Sequence, residues 1–231
     1  MNGDSKRAPN AAHLKAVLPD AEIMDAVIGR DVLANGGVDL RSGNLHHPSY
    51  PFSLGPGEVG CFLSHRRCWQ RIVDGNLEFA LIVEDDLAVS EPGWSDALAL
   101  VMAHASVESF IRLPAKKREK PVMMVAQQGA SRLFLPRHIG LQTVAQVVGR
   151  NAAARLLAAS EVIDRPVDTF LQMHWATNQQ VHTILPNGVT EITDELGGST
   201  IQKKSRANGK LAREIKRAAY RAQVSLRPQK P

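Results

Sequence analysis

Apolar positions along the chain fall into short continuous runs and 3.6-residue stripes that take turns, which predicts alternating strands and helices. Residues 10–18 read as a short helix and 21–28 as a strand, followed by a polar, Gly-rich loop over 35–51. Pro56-Gly57 opens a helix that runs to about Asp74 and stops at Gly75-Asn76, a favourable C-terminal signal. Next, Phe79-Ala80-Leu81-Ile82-Val83 is an unbroken apolar run of strand length, the pattern of a strand covered on both faces. The pattern then predicts a helix over 95–111, a basic loop over 116–120, a short buried strand over 122–125 and a further strand over 143–148. An Ala-rich helix over 151–159 has Asn151 as its expected N-cap. Residues 165–175 begin extended and become helical from Asp168, and 181–185 reads as a late strand. This order predicts an α/β domain with a mainly parallel sheet, whose ligands bind beyond the carboxyl ends of the strands.

With 231 residues, 44% of them hydrophobic, the chain suits one domain with a short appendage. No apolar run is long enough to cross a bilayer, and Met1 to Pro9 lacks the apolar core of a signal peptide, so the expected location is the cytoplasm. Cys61 and Cys68 sit seven apart on one predicted helix, too far for a C-x-x-C pair, and read as reduced, buried filler. Charge divides the chain. Residues 203–231 hold ten Lys or Arg against one Glu, so this tail carries +9 of the net +5 and the remainder is at −4. An acidic body argues against a nucleic-acid-binding core and gives the organisation as a domain over 1–202 and a basic tail over 203–231. Within the tail, Leu211, Ile215, Ala218 and Ala222 share one helical face over 209–222. Two readings stand: a peripheral helix on an anionic membrane surface at the inner face of the plasma membrane, or a solvated, unfolded tail.

Chemistry concentrates where the apolar run ends in Glu84-Asp85-Asp86. Three adjacent carboxylates disfavour one another's ionisation unless a cation neutralises them. Mg2+ or Mn2+ is the natural partner, since such ions are held by one or two carboxylates together with substrate phosphates. The plainer reading is a charged turn that solubilises a strand end. On the preceding helix, Cys61, Phe62, Cys68, Trp69, Ile72 and Val73 form one face, with Glu58 and His65 in the middle of it. Ionisable groups on an apolar stripe must be hydrogen-bonded or look into a polar cleft. A satisfied core histidine and a helix-start carboxylate are the plainer readings of these two.

The block from Gly57 to Leu87, Gly-Glu-Val-Gly-Cys-Phe-Leu-Ser-His through Trp69 to Leu81-Ile82-Val83-Glu84-Asp85-Asp86-Leu87, resembles glycosyltransferase family 25, the lipooligosaccharide galactosyl- and glucosyltransferases with collagen galactosyltransferases as distant relatives. Pro166-Val167-Asp168-x-Phe170-Leu171 is similar to a second element of that family, and the resemblance extends over residues 10–201. It implies an A-type, Rossmann-like nucleotide-diphospho-sugar transferase sandwich. It implies a single inverting displacement that moves galactose or glucose from UDP-Gal or UDP-Glc to a lipopolysaccharide or other glycan or glycolipid acceptor. In this chain Asp86 and Glu84 would hold Mn2+ or Mg2+, and Glu58, Ser64, His65 and Asp85 would contact substrate. Asp168 would be the base, with Asp194 and Glu195 in reserve; its other reading is a helix N-cap. Two departures stand out: the family's opening strand, approximately Val-Ile-Asn-Leu, is not found before the first helix, and Gln146-Val147-Val148-Gly149-Arg150 replaces a segment with an aromatic residue and a serine. The alternative function is a degenerate, non-catalytic partner in a glycan assembly complex.

Overall fold

The computed structural model describes residues 7–196 and 210–231. Helix α1 (Ala8–Val17) leads through an extended segment to α2 (Gly29–Ala34), β1 (Asp39–Leu40) and the long α3 (Pro56–Asp74). Then come β2 (Phe79–Val83), β3 (Leu87–Val89), α4 (Gly93–His104), β4 (Phe110–Arg112), the hairpin β5 (Pro121–Gln128) and β6 (Ser131–Pro136), and β7 (Ala145–Gly149). The chain continues with α5 (Arg150–Ala159), β8 (Val162–Ile163), α6 (Val167–Leu171), α7 (His174–Thr177), β9 (His182–Leu185), β10 (Val189–Glu191) and α8 (Lys210–Ser225).

Six strands form the central sheet in the order β2-β7-β4-β9-β6-β5, and two-stranded ladders pair β1 with β8 and β10 with β3. Side chains of successive strand residues point to opposite faces. Accordingly Phe110 and Val148 join Phe62, Trp69, Leu156 and Phe170 under α3, α5 and α6. Ile111 and Val147 join Leu14, Trp94, Leu100 and Leu113 under α1 and α4. Helices on both faces of a sheet make the expected α/β layering.

Several expectations are corrected. The sheet is mixed: β4 and β9 are its parallel pair, while β7 runs antiparallel to both β2 and β4, and Gly129 at φ +53° turns the β5–β6 hairpin. β2 is an edge strand and only half-buried along its length, yet Ala80 and Ile82 pack on one core and Phe79, Leu81 and Val83 on the other, so both of its faces are covered as its apolar run predicts. Residues 21–28 form no strand, because the Val27 N–H is taken by the Ser64 hydroxyl instead of a neighbouring strand. The predicted helix over 95–111 ends at His104, after which Phe110 and Ile111 enter the centre of the sheet. In addition, the N-cap of α5 is Gly149, not Asn151. The strand predicted at 122–125 lies in β5 but is not buried: β5 is an exposed edge of the sheet, with Val122, Met123, Met124 and Val125 all accessible.

The C-terminal residues 210–231 pack on the body. Tyr220 is buried, its hydroxyl accepts an Arg165 N–H at 3.1 Å, and its ring meets Tyr50 edge-on at 5.5 Å. Gln229 is buried too and donates to the Pro136 and Val181 carbonyls. Leu211 and Ile215 stay outward, 75% and 59% exposed. Residues 203–209 of the expected tail lie outside the described residues.

Candidate active site

Where β2 ends and β7 begins, the Glu84 N–H donates to the Val144 carbonyl at 2.9 Å, so the last acid-bearing turn of one strand is pinned to the start of the other. A cavity of about 310 Å³ opens here, lined by Glu58 and Cys61 of α3, Glu84, Thr143 and Val144, and Asp168 of α6, with Tyr50, Lys116 and Glu191 also in its wall. Its position at the carboxyl end of β2 is the one the sequence predicts for ligands of an α/β sheet.

Glu84 is held from two sides. Its Oε1 lies 3.2 Å from His65 Nε2 and also accepts the Thr143 hydroxyl. Burial works to raise its carboxyl, but the His65 and Thr143 hydrogen bonds and the charges of His65 and Arg7 outweigh it, so the net shift is downward. His65 is itself 4% exposed, and its Nδ1 lies 2.7 Å from the Gln146 amide nitrogen. The expected polar environment of this histidine is therefore present. Cys61, one turn before His65, brings its sulfur within 4.8 Å of ligand atoms of His65 and Glu84. Burial and then the Glu84, Asp168, Asp86 and Glu58 carboxylates push its thiol strongly upward.

Asp85 and Asp86 face another partner. The Arg7 guanidinium bonds Asp85 Oδ1 and reaches Asp86 Oδ2 at 3.5 Å. Asp86 also accepts from the Thr193 hydroxyl at 2.8 Å, while its Oδ1 is buried with no hydrogen-bond partner among the described residues. Burial, followed by the nearby Glu84 charge, pushes the Asp86 carboxyl up.

Glu58 reaches the cavity from the first turn of α3, where its carboxylate accepts the Gly55 N–H at 2.7 Å. It therefore combines the helix-start role with a place in the wall. Asp168 lines the cavity from inside α6, whose N-cap is Pro166, so the N-cap reading of Asp168 does not hold. Ser64 is different: its hydroxyl donates to Gly60 O and accepts the Val27 N–H, which ties down the segment before α2 instead of facing the cavity. Asp194 and Glu195 are exposed, in a turn after β10.

Arg7, Tyr50, Thr143 and Lys116 are not among the site residues expected from the sequence, and Cys61 is expected there only as filler. Lys116 had a signal, since it opens the basic loop expected over 116–120. Thr143 had a weaker one, a polar residue beginning a strand. Arg7 and Tyr50 had none, because their contacts span 78 and 170 positions along the chain.

The model of "Glycosyltransferase family 25 (LPS biosynthesis protein)" matches residues 11–171. Mouse "Inactive glycosyltransferase 25 family member 3" is 31% identical over 175 residues, covering 72% of this chain and 29% of the mouse protein. Human "Procollagen galactosyltransferase 2" is 30% identical over 169 residues, 66% of this chain and 25% of that protein. The "Glycosyltransferase 25 family member" of Drosophila melanogaster is 30% identical over 163 residues, 67% of this chain and 26% of its own length. The chain thus spans less than a third of the length of these curated relatives. Glu58, Cys61, Glu84 and Asp168 of the cavity wall come from the two segments that carry the resemblance, α3 with the end of β2 and the start of α6, and both segments lie inside the matched region: the chain belongs to glycosyltransferase family 25.

Proposed function

We propose that this chain transfers galactose or glucose from a UDP-sugar to a lipopolysaccharide or other glycan or glycolipid acceptor, with inversion, in a cation-dependent reaction on an A-type transferase fold. The observation that carries this reading is the convergence of Glu58, Glu84 and Asp168 on one cavity with Lys116 in its wall. Three carboxylates and an ammonium suit a ligand made of a diphosphate and a polyhydroxy ring.

The residues present fit a hard dication such as Mn2+ or Mg2+. Asp86 has a buried oxygen lacking a partner among the described residues, and a carboxyl pushed up by burial and by Glu84, a strain that a cation relieves. Asp86 and Glu84 would hold it, with Asp85 assisting, and when bound it would supply charge stabilisation to the departing nucleotide diphosphate. Lys116 offers a positive charge to the same phosphates. Glu58 and His65 orient sugar hydroxyls directly or through Glu84. Asp168 accepts the proton of the attacking acceptor hydroxyl, a role typically worth about 10²–10⁴ in rate. Asp168→Asn is therefore expected to lower the transfer rate by roughly that factor with donor affinity kept; lost affinity at an unchanged rate would contradict the assignment.

A second reading has its own support. The mouse relative is named inactive, and Arg7 already neutralises Asp85 and Asp86 as a cation would. A non-catalytic partner in glycan assembly follows if the purified chain neither transfers sugar nor hydrolyses a UDP-sugar in Mn2+.

We place the enzyme in the cytoplasm, against the inner face of the plasma membrane. Support comes from the outward Leu211 and Ile215 of α8, flanked by Lys216 and Arg221. Each basic residue near an anionic surface adds about 1 kcal/mol. Leu211→Asp with Ile215→Asp is expected to abolish sedimentation with phosphatidylserine liposomes; unchanged sedimentation would remove the membrane from the account.

A further inference from the structure

The acid row does not use all of the cation-binding chemistry around Glu84. Asp85 and Asp86 turn to Arg7 and Thr193, whereas Glu84 faces His65, Thr143 and the cavity. Cys61 and His65 stand one helical turn apart on α3, so both side chains project from the same face toward Glu84. A thiol sulfur, an imidazole nitrogen and a carboxylate oxygen then lie within 4.8 Å of one another.

We propose that Cys61, His65 and Glu84 form a three-donor site for a borderline dication of the Zn2+ or Co2+ kind, with its fourth position open to the cavity. The donor set is the first argument. Sulfur, nitrogen and oxygen together match the ligands of zinc sites that keep one position for water or substrate, and a thiolate disfavours Mg2+. Charge is the second. Thiolate and carboxylate with a neutral imidazole sum to −2, which a dication cancels, the thiol proton leaving to solvent on binding.

The surroundings of the site are the third argument. Metal-bound histidines hold their other ring nitrogen in a hydrogen bond, and ligating carboxylates are themselves hydrogen-bonded. His65 Nδ1 lies 2.7 Å from the Gln146 amide, and Thr143 donates to Glu84. The Gln146 oxygen has no hydrogen-bond partner among the described residues. With that amide turned end for end, Oε1 would accept from Nδ1–H, which would leave the Nε2 lone pair free to bind a cation in place of its hydrogen bond to Glu84. Ligand atoms in a tetrahedral zinc site are roughly 3.3–3.8 Å apart, from the metal–ligand bond lengths. Small rotations of the three side chains therefore close the site.

This site shares Glu84 with the proposed transferase centre but needs neither a sugar donor nor turnover. A chain that takes Co2+ through sulfur and binds no UDP-sugar would keep this proposal and lose that reading. The test is Co2+ titration of the full chain, followed by its absorption. The expected result is saturable binding with a near-ultraviolet thiolate-to-cobalt charge-transfer band, displaced by Zn2+. Cys61→Ser should remove that band and weaken binding at least about tenfold, while Cys68→Ser and Asp86→Asn retain it. Absence of the band, or its survival in Cys61→Ser, overturns the proposal. Should Cys61→Ser fail to fold, alkylation of the native chain decides: Zn2+ must slow modification of Cys61 and not of Cys68, and equal rates with and without Zn2+ refute the site.

Discussion

Arg165 is 0% exposed, and its guanidinium is surrounded by acceptors: the Asp164 carboxylate, the carbonyls of His46 and Pro48, and the Tyr220 hydroxyl. Removing one member of such a buried pair costs about 3–5 kcal/mol, because the other charge is left uncompensated. Asp164→Asn is expected to lower the unfolding free energy by that amount in urea titration at neutral pH. Its pH dependence has a definite sign. Burial alone would raise the Asp164 carboxyl, but the Arg165 hydrogen bond and charge and the Leu45 N–H overcome it, so the folded-state value is lowered. The pair therefore stabilises the protein above the unfolded carboxyl value of about 3.9, and this is lost as pH falls through the lower folded value. Wild type should lose urea resistance over that acid range, and Asp164→Asn should lack this component of the loss. At this scale the sequence was legible where chemistry was local. Glu84, Asp85 and Asp86 stand in a row, and His65 breaks an apolar stripe. Arg7 and Tyr50 were hidden because only the folded chain brings them to Asp85 and Tyr220.

Among the elements, α3 is where pattern and structure agree best, since its stripe, its Pro-Gly start and its Gly-Asn stop are all signals within one segment. It also packs closely on the start of α2. A Cβ at Gly60 would lie 2.6 Å from Val27 O and 3.0 Å from Gly29 N, both backbone atoms that cannot step aside singly. Gly60→Ala is expected to destabilise by about 1–3 kcal/mol, the usual cost of overpacking, and thermal unfolding measures it. Strands fared worse. A run such as Phe110-Ile111 next to α4 continues a helical pattern by composition, and only pairing with β7 and β9 makes it a strand. The exposed apolar β5 shows the converse, that an apolar run marks a strand without marking burial. α8 was legible as an amphipathic helix, but which face docks was not. Tyr220 faces inward, and burying a side chain of this kind contributes roughly 1.5–3 kcal/mol. Tyr220→Ala should speed proteolysis within 210–225 while leaving the far-ultraviolet signal of the body nearly unchanged.

For the molecule as a whole, the α/β layering followed from the order of elements, but the mixed sheet did not, since strand direction is set by long-range pairing and not by composition. Family membership was legible because α3, β2 and the start of α6 carry their motifs as contiguous segments, and folding brings those segments to one cavity. The central claim is that Glu84 and its neighbours bind a nucleotide-diphospho-sugar through a cation. Calorimetric titration of UDP-Glc and UDP-Gal into the chain in Mn2+, repeated with EDTA and with Glu84→Gln, tests it most directly. The account predicts saturable binding of at least one donor, weakened about tenfold or more by either change, a loss of roughly 1.4 kcal/mol. Binding that is indifferent to both, or no binding of either donor, would contradict it.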